Sequence, residues 1–211
     1  MGPTLLDGAK DPVACYVLAH GAGAGMNHPF LAAVAKGLAE RNIATLRYQF
    51  PYMDKGSKRP DSPKVAHVAV REAVAEAARR LPGVPLIAGG KSFGGRMTSQ
   101  AQAIEPLPGV VGLAFLGFPL HAPGKQSDER GAHLDEVKVP MLFLQGTRDD
   151  FAELDLLQPL VKRLGRKATL QLFDDADHSF HVPARTGRKD AEVMAQVLDV
   201  LAKWITSSAS A

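Results

Sequence analysis

The chain has 211 residues, 45% hydrophobic and 22% charged, the balance of an ordinary globular protein able to bury a sizeable core. A net charge of +3 rests on 25 basic and 22 acidic residues, without the concentrated basic face or stacking aromatics of a nucleic-acid binder. The lone Cys15 excludes an internal disulfide and a cysteine zinc site, and no apolar run approaches the ~20 residues of a membrane span.

The segment Met1 to Asp11 lacks the basic start and long apolar stretch of a signal peptide, and Leu6 breaks the myristoylation pattern. A cytoplasmic setting is therefore expected. Ala14–Ala19 is the first strand-like run, with Cys15 as a buried small hydrophobe. It ends in His20-Gly21-Ala22-Gly23-Ala24-Gly25-Met26. As a dinucleotide fingerprint this loop fails. Counted from Gly21 the third glycine is Met26, counted from Gly23 it is His28, and Tyr48-Gln49 stand where an acid should close the next strand.

Asn27 as cap and Pro29 in the first turn open a helix near residues 29–41. Ile43–Tyr48 is the second strand. The loop Tyr52–Pro63 follows it and should overhang any site formed there. Its Lys55, Lys58 and Arg59 read as a solvated loop, or alternatively as an attractor of anionic substrate. A helix is expected near 64–81.

The strand Val84–Ala88 runs into Gly89-Gly90-Lys91-Ser92-Phe93-Gly94-Gly95, where a helix over 93–104 begins. Gly90, Ser92 and Gly94 form G-x-S-x-G, the nucleophile elbow: a serine on a sharp turn, with glycines where strand and helix must approach. A phosphate loop ending Gly90-Lys91-Ser92 would need glycine where Pro85 stands. Arg96, one helical turn past Ser92, reads as a structural pairing partner rather than a substrate clamp.

Val110–Leu116 is the next strand, and residues 117–139 leave room for a loop and a short helix instead of a lid. Pro140–Leu144 precedes Gln145-Gly146-Thr147-Arg148-Asp149-Asp150, and a helix near 152–165 follows. Thr169–Phe173 precedes Asp174-Asp175-Ala176-Asp177-His178-Ser179-Phe180. The last helix, near 187–206, puts Val193, Val197, Leu201 and Trp204 on one apolar face, and Ser207–Ala211 should fray. These alternations predict an α/β fold in one domain over 1–211. Its mostly parallel sheet has about six strands with helices on both faces.

Function in such a sheet gathers at the carboxyl ends of the strands. A nucleophile Ser92 needs a base, and the base needs an orienting acid, in the chain order Ser, Asp or Glu, His. His178 is the candidate base, with His181 in reserve. Asp149 leads over Asp150, although an aspartate pair after a strand also suits a helix cap. His67 lies inside a helix, and His28, His121 and His133 lack the placement. The amides of Phe93 and of Ala22, with Gly23 as an alternative, are the expected oxyanion donors, and His20 would bridge backbone beside them.

Taken together, HGAGAG, GKSFGG, GTRDD and DADHSF resemble the α/β-hydrolase superfamily across nearly the whole chain, nearest its small dienelactone-hydrolase-like branch. His20–Asn27, Arg47–Pro51 and Lys91–Met97 look most similar to the hydrolase-like domain shared by testis-expressed proteins and subunits of the NSL histone-acetyltransferase complex. The resemblance implies a serine esterase with catalytic Ser92, Asp149 and His178, the oxyanion hole at Ala22 and Phe93, and neither cofactor nor metal. Ser92 stands where a dienelactone hydrolase carries cysteine, so that enzyme's substrate does not carry over. The expected partner is a small acyl substrate, with no nucleic acid and no membrane. Some members of this branch act as scaffolds, so a catalytically idle interaction domain is the alternative.

Overall fold

The strand Ala14–Ala19 (β2) explains why the apolar runs do not alternate with polar residues. Cys15, Val17 and Ala19 face one hydrophobic cluster, Ala14, Tyr16 and Leu18 face another, and all six are buried. Both faces of the strand are covered, as in a parallel sheet flanked by helices. The buried Tyr16 hydroxyl is satisfied by the Ala114 carbonyl at 2.8 Å.

The computed structural model describes residues 2–8 and 10–210. Besides β2, the strands are β1 (Thr4–Asp7), β3 (Ile43–Tyr48), β4 (Leu86–Lys91), β5 (Val110–Leu116), β6 (Met141–Gly146) and β7 (Ala168–Phe173). They lie in the order β1-β3-β2-β4-β5-β6-β7, every neighbour pair parallel except β1 with β3. The α-helices are α1 (Pro29–Ala39), α2 (Pro51–Asp54), α3 (Pro63–Arg80), α4 (Phe93–Ile104), α5 (Leu154–Leu164) and α6 (Asp190–Ala209). Helices α3, α4 and α5 bury their apolar faces in the first cluster, α1 and α6 in the second. Val193, Val197, Leu201 and Ile205 of α6 are fully buried, and each such side chain contributes about 1.5–3 kcal/mol. Among the described residues no helix is long and apolar enough to cross a membrane.

Chain order reverses at β2 and β4, which are neighbours with the chain running outward from each. This switch point opens a crevice at the carboxyl ends of the two strands, where α/β sheets bind ligands.

The sheet has seven strands where the sequence pattern predicts about six. The additional β1 is four residues long and half exposed, and it is fixed by pairing rather than by its own apolar content. Its Asp7 receives Arg47 Nε at 2.9 Å, an ion pair across the β1–β3 register. The cap of α1 is His28, not Asn27: His28 Nδ1 accepts the Phe30 amide at 3.2 Å. The expected fraying from Ser207 is also overturned. Helix α6 continues to Ala209, and Ser210 Oγ donates to the Thr206 carbonyl; Ala211 lies outside the described residues. Between β5 and β6 stand a loop and one short 3-10 helix, Glu129–Glu136, as the segment's length implies.

Candidate active site

Strand β4 runs through Gly89 and Gly90 to Lys91, and α4 starts at Phe93, so Ser92 makes the whole turn between them. It does so at φ 49° and ψ −116°, a left-handed conformation that costs a side-chain-bearing residue about 1–3 kcal/mol. The flanking glycines are required by close approach. A Cβ on Gly90 would stand 2.2 Å from the Ala19 carbonyl oxygen, and one on Gly94 would stand 2.5 Å from that of His20. The elbow therefore presses against the end of β2, and the Ser92 hydroxyl is left without a hydrogen-bond partner among the described residues.

His178 lies in the turn after β7. Asp177 builds that turn, its Oδ1 accepting the amides of Ser179 at 2.7 Å and His181 at 3.0 Å. His178 Nδ1 is 2.7 Å from Oδ2 of Asp149, whose side chain is fully buried. The same carboxylate accepts Gln145 Nε2 at 2.6 Å and the Phe151 amide at 2.9 Å. Because an ionised carboxylate only accepts, Nδ1 carries the proton and Nε2 is left with a free lone pair. The Phe151 ring stacks on the imidazole at 4.3 Å between centroids. Asp150 is exposed, and His181 is bonded to Asp190 at 2.8 Å, so neither alternate takes part in this arrangement.

Burial lowers the affinity of His178 for a second proton, with the Lys91 charge acting the same way and the Asp149 hydrogen bond opposing both. Lys91 is itself pulled down to about 8, by burial against the attraction of Asp149 and Asp177.

The loop after β2 is built from within. His20 is completely buried, accepting the Phe50 amide at Nε2 (3.0 Å) and donating from Nδ1 to the Gly21 carbonyl (2.9 Å), the bridging role its position suggests. Tyr52 Oη takes the Gly23 amide at 3.3 Å. That commits Gly23, while the amides of Ala22 and Phe93 have no acceptor among the described residues. Gly21, Ala22, Phe30, Lys91, Ser92 and His178 line one cleft of about 310 Å³. Ser92 and His178 thus share a cavity, although their side chains are not hydrogen-bonded to each other in this structure.

Several of these contacts carry no sequence signal. Gln145, Tyr52 and Phe151 belong to no motif, and their roles depend on which loops the sheet brings together. The basic residues Lys55, Lys58 and Arg59 are exposed. Among the described residues Arg96, expected to pair structurally, has no ion pair, and its Nε is buried without a partner.

The chain belongs to the Alpha/beta hydrolase domain family, which it matches over residues 12–206. An alpha-beta serine hydrolase homologue from Coxiella burnetii superimposes with a TM-score of 0.76 at 18% identity, covering 96% of this chain and 93% of that one. A dienelactone hydrolase from Anabaena variabilis gives 0.77 at 18% identity, covering 95% and 89%. A serine hydrolase without a lid from Xanthomonas campestris gives 0.72 at 19% identity, covering 97% and 92%.

Proposed function

We propose that the protein is a serine hydrolase of carboxylic esters, acting through an acyl-enzyme on Ser92. The observation that carries this reading is the strained elbow of Ser92, open to the same cleft as an imidazole oriented by buried Asp149. His178 Nε2 takes the Ser92 proton as Oγ attacks the substrate carbonyl, and Asp149 holds the tautomer and stabilises the imidazolium. The free amides of Ala22 and Phe93 receive the tetrahedral oxyanion, where losing one donor typically costs about 10²–10³ in rate. His178 then protonates the departing alcohol, and water activated by the same imidazole releases the acid. Every step uses side chains and amides of this chain.

The dienelactone hydrolase and the serine hydrolase without a lid among the structural neighbours support a small hydrolase fold without a lid, while the small acyl substrate and a cytoplasmic setting rest on sequence grounds alone. The likeness to testis-expressed proteins and NSL-complex subunits rests on the motifs alone. Fluorophosphonate labelling mapped by mass spectrometry tests the reading. Modification of Ser92, lost in Ser92→Ala together with hydrolysis of short nitrophenyl esters, is expected. An unlabelled serine and no turnover would leave the idle interaction domain in its place.

A further inference from the structure

Ser92 lines two clefts. The second, of about 320 Å³, shares Ala22, Ser92 and Phe151 with the first but is not lined by His178, and its walls include Asp61, Phe93, Arg96, Pro119 and Arg130. Arg96 makes no side-chain hydrogen bond or ion pair among the described residues, and its Nε has left water without finding an acceptor. Its guanidinium carbon rests 6.0 Å from the Phe93 ring centroid. Arg130, half-buried at the start of the 3-10 helix, is also without an acidic partner among the described residues. The carboxylate on the wall, Asp61, is spent on the Tyr52 amide at 2.8 Å and pairs with neither arginine.

The positive charges reinforce one another. Burial, and then the Arg130 charge, pull the Arg96 guanidinium below its ordinary value. His133 nearby is pulled down to about 4 by burial and then by Arg96. A partly buried cation without a counter-charge is unfavourable, and a planar anion supplies the acceptors that a guanidinium fork presents.

The mechanism proposed above decides which half of an ester this cleft would see. His178 must reach the leaving oxygen, so the alcohol departs on the His178 side and the acyl group extends past Phe93. We propose that the second cleft holds the acyl half of the substrate and that Arg96 and Arg130 clamp a carboxylate at its end, making the substrates half-esters of short dicarboxylic acids. Arg96 follows Ser92 by four residues, one helical turn, which places both on the same side of the start of α4.

This assignment rests on the hydrolase reading, and the test separates the two. For the wild-type protein, kcat/KM for mono-nitrophenyl glutarate should exceed that for the neutral nitrophenyl valerate by about tenfold or more. Arg96→Met should lose about that factor in the ratio of glutarate-ester to valerate-ester kcat/KM. Arg130→Gln, at a half-exposed position, should fall in the same direction and guards against a misfolded Arg96 variant. Calorimetry of glutarate binding to Ser92→Ala protein reads the cleft without turnover, and the affinity should weaken on adding Arg96→Met. Glutarate binding that depends on Arg96, with no ester cleaved, would keep the cleft assignment and remove the esterase. Esters cleaved without preference for the anion, a parallel loss on both esters, or a preference untouched by both arginine variants would overturn the assignment and leave the esterase standing.

Discussion

Lys91 donates from Nζ to the main-chain oxygen of His178 at 2.6 Å, tying the residue before the nucleophile to the loop that carries the base. The same ammonium lies 6.0 Å from the Phe30 ring centroid, in the cleft that Ser92 and His178 share. It therefore does two things to the imidazole: it fixes the loop, and its charge disfavours the imidazolium.

The acid limb of the pH profile follows from this. His178 acts as base only when neutral, and burial followed by the Lys91 charge lowers its pKa below the ordinary 6.5. Activity should therefore persist below that value before it declines. Removing the Lys91 charge takes away one lowering influence, so in Lys91→Met the limb moves to higher pH and activity in mild acid falls. The profile of kcat/KM against pH for a neutral nitrophenyl ester checks this. A limb that stays in place, or moves down, contradicts the coupling.

Ser92 pays for its placement in backbone strain, and replacing it should reveal the amount. The conformation at φ 49° and ψ −116° costs about 1–3 kcal/mol, which glycine avoids at an entropic cost of about 0.5–1 kcal/mol. Ser92→Gly should therefore unfold with about 1 kcal/mol more free energy than Ser92→Ala, which keeps the strain and also lacks the hydroxyl. Urea denaturation of both variants measures the difference, and equal midpoints and slopes would show that the turn is relaxed.

How much of this was legible from the sequence depended on where the information lay. Strands β2, β3 and β5 match their expected bounds because they are buried almost throughout; unbroken apolar runs mark β2 and β5, whereas β3 carries Thr45 and Arg47 among its apolar residues. The placement of Ser92, Asp149 and His178 was legible because the turn after each strand is a local signal. Strand β1 was not, since its Thr4–Asp7 pairing depends on β3 some forty residues away. The cap at His28 instead of Asn27 turns on one dihedral choice that both residues permit. Gln145 and Tyr52 gained their roles only when distant loops met, and Arg96 read as a pairing partner because only three dimensions show that Asp61, on the same cleft wall, bonds the Tyr52 amide instead.

The contact between the elbow and β2 sets a limit on α4. A methyl group on Gly94 would lie 2.5 Å from the His20 carbonyl oxygen, just past β2, and 2.6 Å from the side chain of Ala19, the last residue of β2. Gly94→Ala must push the helix outward or displace residues 19–22, and overpacking of this kind costs about 1–3 kcal/mol. The displaced segment includes Ala22, so the proposed oxyanion donor moves with it. Activity should fall further than stability, seen as a reduced kcat on protein that still unfolds cooperatively. A variant with wild-type stability and kcat would mean that strand and helix are not in contact.

Asp149 makes the sharpest separation between orienting the base and folding the loop. Its two oxygens accept from His178, Gln145 and the Phe151 amide. In Asp149→Asn one oxygen becomes an amide nitrogen, which donates where a carboxylate accepted. If that nitrogen faces His178, it favours the tautomer with the proton on Nε2, and an imidazole so protonated cannot take the hydrogen of Ser92. If instead the remaining oxygen faces His178, the nitrogen is turned on the Phe151 amide; the first placement sets it against Gln145 Nε2, so each pits two donors against each other and each removes the charge that stabilises the imidazolium. The expected result is a loss of about 10⁴ in kcat, the scale at which a triad aspartate acts through tautomer and charge. Labelling of Ser92 by fluorophosphonate should slow by a comparable factor, because it depends on the same proton transfer. A loss of less than about tenfold in both would show that His178 is oriented by Phe151 stacking and the Lys91 tie instead, and the acid would lose its assigned role.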